Sequence, residues 1–197
     1  NNVLFDHKKS LHVIFDGLDE LTHNQGKVVG FSLWRAFLRK LGLLGEGLSD
    51  REATLSFMWS AMCVVDGQTV GGRIKEQNLP FEGFLEALCR LAAIYPLPTD
   101  DEIAEAGCED AGVYMTWFHD VDPDGFEAMQ RNRAGKWGSM SVLQPLERCV
   151  DHLVLIIIRR IERSDGNSEG GGKHSNALIS NVEFKRWARD VKMPGAD

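Results

Sequence analysis

The sequence has few of the residues that identify several large classes of protein. Its cysteines are neither closely paired, as in a zinc site, nor dense, as in a small disulfide-stapled secreted domain. There are four of them, far apart in 197 residues: Cys63, Cys89, Cys108 and Cys149. We therefore expect reduced thiols in a cytoplasmic protein.

Long hydrophobic runs and an excess of basic residues are also missing. The strongest apolar run, at residues 153–158, ends at Arg159 and Arg160, far short of the roughly 20 residues of a membrane-spanning helix. Lys and Arg total 22 against 29 Asp and Glu, without the basic stripe that nucleic-acid binding needs. We expect no membrane span and no nucleic-acid partner. The chain begins at Asn1 without a signal-peptide pattern, so we expect a processed start or a piece of a longer protein.

Apolar residues at helical spacing are abundant, and they predict a helical protein. The first predicted helix covers residues 6–21, and a short extended piece at 28–31 leads into the second. A third begins at Asp50, after which residues 66–77 are predicted as a loop. Residues 78–94 then repeat the order of extended piece and amphipathic helix.

The second half contains further helix signals. Pro96 and Pro98 interrupt helix formation, which places a boundary between a first lobe, residues 1–95, and a second, residues 99–197. Residues 143–163 have a helical pattern that is nearly apolar all round near its middle, which predicts the most buried helix of the second lobe. Capping boxes, in which Ser or Thr and a Glu three residues later satisfy backbone donors, predict three helix starts: Ser49–Glu52, Thr99–Glu102 and Ser180–Glu183.

Two of the predicted helices are similar in sequence. Residues 31–41 can be placed on residues 81–91 without a gap. Aromatic residues then coincide twice, Trp34 with Phe84 among them, and leucines coincide twice, Leu38 with Leu88 among them. This match predicts an internal repeat.

The predicted elements follow the order helix, loop, short apolar extended piece and a helix opening on an aromatic residue. This layout resembles the EF-hand, calmodulin-like superfamily. In that family an apolar eighth loop position pairs with its counterpart in the neighbouring hand, and the thirteenth position begins the apolar face of the exiting helix. The matching pairs are Val29 and Trp34, Leu79 and Phe84, and Ile179 and Phe184.

The resemblance implies an all-α fold of EF-hand-like helix-loop-helix pairs in two lobes, with very short antiparallel β pairing between loops. It places Leu79 opposite Val29. The stretch at residues 81–92 is also similar to helices in flagellar and cytoskeletal proteins of single-celled eukaryotes that carry EF-hand-like domains.

The ligands that an EF-hand loop needs are largely missing. Calcium requires spaced oxygen ligands and a bidentate glutamate at the twelfth position, where Leu33 and Gly83 stand in the first two units. Glu183 occupies the twelfth position of the last unit, but its capping box with Ser180 explains it better. We therefore predict calcium-independent loops.

One local match to a calcium motif remains at Asp120, Asp122, Asp124 and Gly125, although Arg131 replaces the glutamate. These three aspartates are weak candidates for a calcium site, against the simpler interpretation of an acidic, solvated turn. If the site binds, the chain would be a calcium-responsive sensor.

The apolar helix faces admit two interpretations, a helical core or a groove for a partner helix. The candidate groove residues are Trp34, Phe37, Met58, Met62, Phe84 and Leu88. Cys149 and His152 are one turn apart, but no third group is identified that would orient the histidine as a base. We expect His152 to be a satisfied core residue and assign no catalytic residues.

The leading hypothesis is a non-catalytic structural or adaptor protein that needs no cofactor. The resemblance implies protein partners, in a cytoskeletal, ciliary or axonemal assembly. The alternatives are the calcium sensor and an enzyme domain on an unrelated helical fold. A cleft with converging titratable groups would be the first support for an enzyme.

Overall fold

The computed structural model describes residues 3–21, 27–61, 68–134, 144–163 and 178–189. That part of the chain is mostly helical, with one small antiparallel sheet, which confirms the coarse fold class. In chain order the elements are α1 Val3–Asp6, α2 Lys8–Leu21, β1 Val29–Gly30, α3 Phe31–Lys40, α4 Asp50–Ser60, α5 Val70–Gln77, β2 Asn78–Leu79, α6 Phe81–Ala92, α7 Asp100–Glu105, α8 Ala111–Val121, α9 Pro123–Arg133, α10 Leu146–Arg163 and α11 Asn181–Ala188.

The helix starts follow the capping signals of the sequence. The Ser49 amide donates to Glu52 Oε2 at 2.8 Å, and the Glu52 amide donates back to Ser49 Oγ at 3.2 Å, at the start of α4. Equivalent boxes open α7 and α11. All three predicted capping boxes are therefore confirmed, each of a kind that typically contributes about 1 kcal/mol.

The sheet pairs the two sequence repeats at equivalent positions. Val29 lies opposite Leu79 in antiparallel register, as predicted, and both side chains are fully buried. The helix after each strand starts next to Gly30 or Pro80, neither of which has a side chain that accepts a hydrogen bond. Packing therefore positions these two helices more than capping does. We call β1, α3, β2 and α6 the paired unit.

Two segments are more helical than the sequence predicted. Residues 66–77 were predicted as a loop, but helix α5 occupies most of the described part, and its cap Thr69 accepts from the Gly72 amide at 3.0 Å. Helix α9 covers much of the polar segment after residue 120 and starts at Pro123. In both segments a local cap outweighs the low helix propensity of glycine, or of aspartate, in the first turn.

One cluster of buried apolar side chains spans both predicted lobes. Helix α10 contributes nine buried residues, consistent with its predicted burial, and packs against both α8 and α6. Helix α11 packs on α2, and the Trp187 ring meets the Phe37 ring at 5.8 Å between centroids. The segments 1–95 and 99–197 thus share a core, and their separation into independent domains stays a prediction.

A second contact between the two segments is polar. His7 Nε2 lies 2.7 Å from Asp151 Oδ1, and Arg148 binds both Asp151, at 2.9 Å, and Asp100. His152 Nε2 lies 3.0 Å from the same Asp100 carboxylate. We call these five residues the polar junction. It joins the turn after α1 and the start of α7 to α10.

No helix in the described ranges has the length and apolar character needed to cross a membrane.

Candidate functional site

The second predicted loop has no space for a glutamate side chain at its twelfth position. Gly83 occupies the position of the bidentate glutamate and is buried in the first turn of α6. A Cβ built on it would lie 2.8 Å from the Ser60 carbonyl oxygen of α4, closer than normal packing allows. The early ligand positions of this loop, Gly72, Ile74 and Glu76, lie within α5. The backbone there is helical rather than wrapped around a cation.

The other two predicted loops are only partly described. Residues 22–26 and 164–177 lie outside the described residues. Leu33, at the twelfth position of the first unit, is 1% exposed. Glu183 accepts from the Ser180 amide at 2.7 Å, which confirms its capping role. Ile179 is buried, and its amide donates to Ser10 Oγ at 3.3 Å.

The aspartates of the local calcium motif lie at the junction of two helices, and calcium binding there stays a prediction. Asp120 belongs to α8 and Asp124 to the first turn of α9, so only Asp122 separates the two helices. Asp122 Oδ1 accepts from the Gly125 amide at 3.0 Å as the cap of α9. Hydrogen bonds from His119 and then Arg163 lower the pKa of Asp120. Among the described residues no three acidic, histidine or cysteine side chains form a group suited to a metal ion.

Four of the candidate groove residues are in the core rather than on an open groove. Trp34, Phe37, Phe84 and Leu88 are at most 1% exposed. The Trp34 and Phe84 rings meet edge to face at 6.0 Å, so aromatic packing between the repeats fills the space that a partner helix would occupy. Met58 lies apart on α4 at 59% exposure. Met62 lies outside the described residues. Opening of this core by a partner stays a prediction.

His152 is a satisfied buried histidine, as predicted. It is 1% exposed, with Nδ1 3.0 Å from the Pro98 carbonyl oxygen and Nε2 3.0 Å from Asp100 Oδ1. Both ring nitrogens thus face oxygens rather than the neighbouring thiol. Burial raises the pKa of Cys149, so this thiol is not activated as a nucleophile.

A cleft of about 520 Å³ opens where the end of α3 meets α8, α9, α10 and α11. Its charged walls are Lys40, Arg160 and Arg163, with His119 at the edge. Its apolar floor is made of Met115, Phe126 and Trp187, all less than 9% exposed. None of the described residues that line it is acidic. We call this space the basic cleft.

The cationic side of the basic cleft comes from the ends of α3 and α10. Helix α3 ends in a Schellman motif, in which Leu43 N donates to Leu38 O at 3.0 Å and Gly42 N donates to Arg39 O at 2.9 Å. Gly42 adopts the required left-handed conformation, with φ of 65°. The Leu41 carbonyl is left for Arg160 Nη1 of α10, so the last turn of α3 fixes the position of this guanidinium.

Sequence reasoning missed this cleft because its residues come from five separate helices or their ends. The one local signal is the spacing of Arg160 and Arg163, which are close to one turn apart and follow the apolar run of α10. Nothing local relates them to Lys40 or Trp187. Titratable groups do converge here, which was the condition set for an enzyme. They are cations and a histidine, however, and none of the described residues on the cleft wall is a carboxylate that could act as a base.

No family model, curated protein or solved structure matched this chain. The function is therefore argued from the contacts of its own residues.

Proposed function

We propose that the chain is a non-catalytic structural or adaptor protein that binds protein partners through its EF-hand-like helices without calcium. The observation that carries this proposal is the environment of Gly83. The helix that should present the calcium-binding glutamate packs there against the Ser60 backbone, with no space for a side chain. A cytoskeletal or ciliary setting, which the sequence resemblance implies, is part of the same proposal.

The packing half of a helix-loop-helix pair is retained while its coordinating half is lost. Val29 pairs with Leu79, and Phe84 contacts both Trp34 and Phe37. These contacts hold the paired unit together through buried apolar surface. The pair therefore needs no bound ion to hold its helices in place.

Exposed apolar side chains on α4 and α5 support a protein-binding role. Met58 and Trp59 are 59% and 53% exposed, and Val70 and Ile74 are 75% and 42% exposed. Both helices come before β2 in the chain, and α5 forms most of the described part of the second predicted loop. When a partner covers large apolar side chains that were exposed to water, the free energy of the complex is lowered.

The calcium-independent part of the proposal is tested by thermal unfolding in chelator and in millimolar calcium. We expect the same Tm, because only a ligand that binds the folded state raises it. A calcium-dependent rise in Tm would contradict the proposal. So would a measurable calcium isotherm that Asp122→Ala abolishes.

The partner-binding part is tested by cross-linking in extracts of the native source, with partners identified by mass spectrometry. Met58→Asp should remove specific cytoskeletal or ciliary partners, because it places a charge among the exposed apolar residues. Val121→Asp is the matched control, since Val121 is 63% exposed on α8, away from the paired unit. Equal partner sets for both variants would exclude this surface.

A further inference from the structure

We propose that the basic cleft binds a small organic anion. An oxyacid group, phosphate or carboxylate, would contact Lys40, Arg160 and Arg163, and an apolar body would lie over Met115, Phe126 and Trp187. This site shares only the end of α3 with the paired unit and goes beyond the proposed adaptor function.

The charge of the cleft is opposite to that of the whole chain. The formal net charge is −7, yet three permanent cations converge on one concave surface. Asp120 partly neutralises Arg163 at 3.1 Å, from just outside the lining. Arg160 is bound instead to the Leu41 carbonyl, and in the described chain no carboxylate forms an ion pair with it. Its charge therefore remains for a ligand.

The guanidinium groups suit an oxyacid in particular. Each presents its N–H donors in a planar fork that matches two oxygens of a phosphate or carboxylate. Arg160 is held in place by α3, so less side-chain freedom is lost on binding than for a flexible arginine. Lys40 Nζ lies 5.1 Å from the Trp187 ring centroid, so the indole helps to hold this second cation on the cleft wall.

The apolar floor indicates that the ligand has an apolar body as well as a negative charge. The cleft volume of about 520 Å³ lies within the range of about 300–1,000 Å³ typical of small-molecule sites. Inorganic phosphate would fill only the charged side of such a space. An aromatic or aliphatic body would fill the remaining volume of the cleft, whose lining includes Met115 and Phe126.

The proposal is tested by titration calorimetry of the full chain with four probes. Together they separate the contribution of the ligand's negative charge from that of its apolar body. Phenyl phosphate and benzoate carry both parts and distinguish a phosphate from a carboxylate ligand. Inorganic phosphate carries only the charge, and phenol only the body. We expect saturable binding of phenyl phosphate or benzoate, at least about tenfold tighter than either partial probe, which corresponds to about 1.4 kcal/mol. Equal affinity for all four probes, or no isotherm, would overturn the proposal.

Variants then locate the binding. Arg163→Gln and Lys40→Gln should each weaken the tighter probe about tenfold, since each removes a charge-assisted contact. Arg51→Gln is the matched control, because it removes the same charge from an exposed position on α4, which contributes no lining residue. Circular dichroism confirms that each variant is folded. Unchanged affinity in both cleft variants, or an equal loss in the control, would show that the anion does not bind in this cleft.

Backbone amide NMR provides a readout that does not depend on any substitution. The probe should shift the Gly42 and Thr116 amides, which belong to lining residues, and leave the Arg51 amide unchanged. Shifts confined to residues outside the cleft would overturn the assignment.

Discussion

The paired unit and the polar junction both join distant parts of the chain, but by different interactions. In the paired unit, Val29 meets Leu79 and Trp34 meets Phe84 through fully buried apolar surface. In the polar junction, His7 and Arg148 form hydrogen bonds with the Asp151 carboxylate, and the Asp151 side chain is 18% exposed. The first contact is insensitive to pH and salt, whereas the second depends on both.

The difference also decides which contact the sequence reveals. Apolar and aromatic residues of the paired unit recur at fixed spacing, so their equivalence is visible along the chain. The polar junction has no repeat, and its contact between His7 and Asp151 joins residues 144 positions apart. The predictions below test whether the two contacts contribute differently to stability.

The largest effect is expected in the centre of the paired unit. Phe84→Ala and Trp34→Ala should each lower the free energy of unfolding by about 3–5 kcal/mol, because each leaves a cavity in a close-packed core. The rings touch edge to face at 6.0 Å, so a double-mutant cycle in urea should give a coupling of about 0.5–1.5 kcal/mol. Phe5→Ala is the control, since Phe5 is 73% exposed. Strictly additive losses would show that the repeats do not contact as described.

A smaller effect distinguishes Gly83 on α6 from Gly71 on α5. Gly83→Ala should destabilise by about 1–2 kcal/mol, because the clash with the Ser60 carbonyl outweighs the helix propensity gained. Gly71→Ala should instead stabilise by up to about 1 kcal/mol, since a Cβ there meets nothing within 4 Å. Urea unfolding of both variants makes the comparison. A stabilising Gly83→Ala would mean that the twelfth position is open and would weaken the calcium-independent proposal.

Much of the paired unit could be predicted from sequence because its determinants are local or repeated. The Ser49–Glu52 box lies within one helical turn, and the Val29–Leu79 register follows from the repeat. Helix α5 was missed because Gly71 and Gly72 lower helix propensity. The start of α9 was predicted as an acidic turn with a weak calcium motif, although an aspartate before Pro123 also fits a helix cap followed by proline at the first helical position.

The shared core and the candidate cleft could not be predicted in the same way. The contact of Trp187 with Phe37 depends on how α11 packs, and no local pattern of α11 specifies that neighbour. The basic cleft similarly needs the end of α3 beside α10. Periodicity identifies which face of a helix is apolar, but not which other helix covers it.

Acid should weaken the polar junction before the paired unit. The hydrogen bond from His7 lowers the pKa of Asp151, with Arg148 and His152 adding to the effect. A carboxylate whose pKa is lowered by folding contributes stability that is fully present above its unfolded value, about 3.9, and is lost as the pH falls through the folded value. Stability should therefore decline below about pH 4, and Asp151→Asn should make that decline shallower while lowering stability at pH 7. An unchanged acid limb in urea titrations would show that Asp151 does not contribute to it.

The smallest effect compares two capping glutamates, one in each half of the chain. Among the described residues, Glu52 forms side-chain hydrogen bonds only within its capping box with Ser49. Glu102 accepts from the Thr99 amide at 2.8 Å and also from Arg133 Nη1 at 3.0 Å. Burial alone would raise the pKa of Glu102, but the hydrogen bonds from Arg133 and Thr99 outweigh it and lower the pKa. The Glu102 carboxylate therefore takes part in a cap and in an ion pair, whereas the Glu52 carboxylate takes part in a cap.

Glu102→Gln should accordingly destabilise by about 1–2 kcal/mol, since it weakens a hydrogen-bonded ion pair as well as a cap. Glu52→Gln should lose less than about 1 kcal/mol, because glutamine still accepts the capping hydrogen bond. The difference should shrink in the Arg133→Gln background, which removes the second partner of Glu102 and leaves both glutamates with a cap alone. Equal losses for the two glutamates in the parent chain would mean that the Arg133 contact adds nothing to stability, and that the charged contacts of the second half position helices rather than stabilise them.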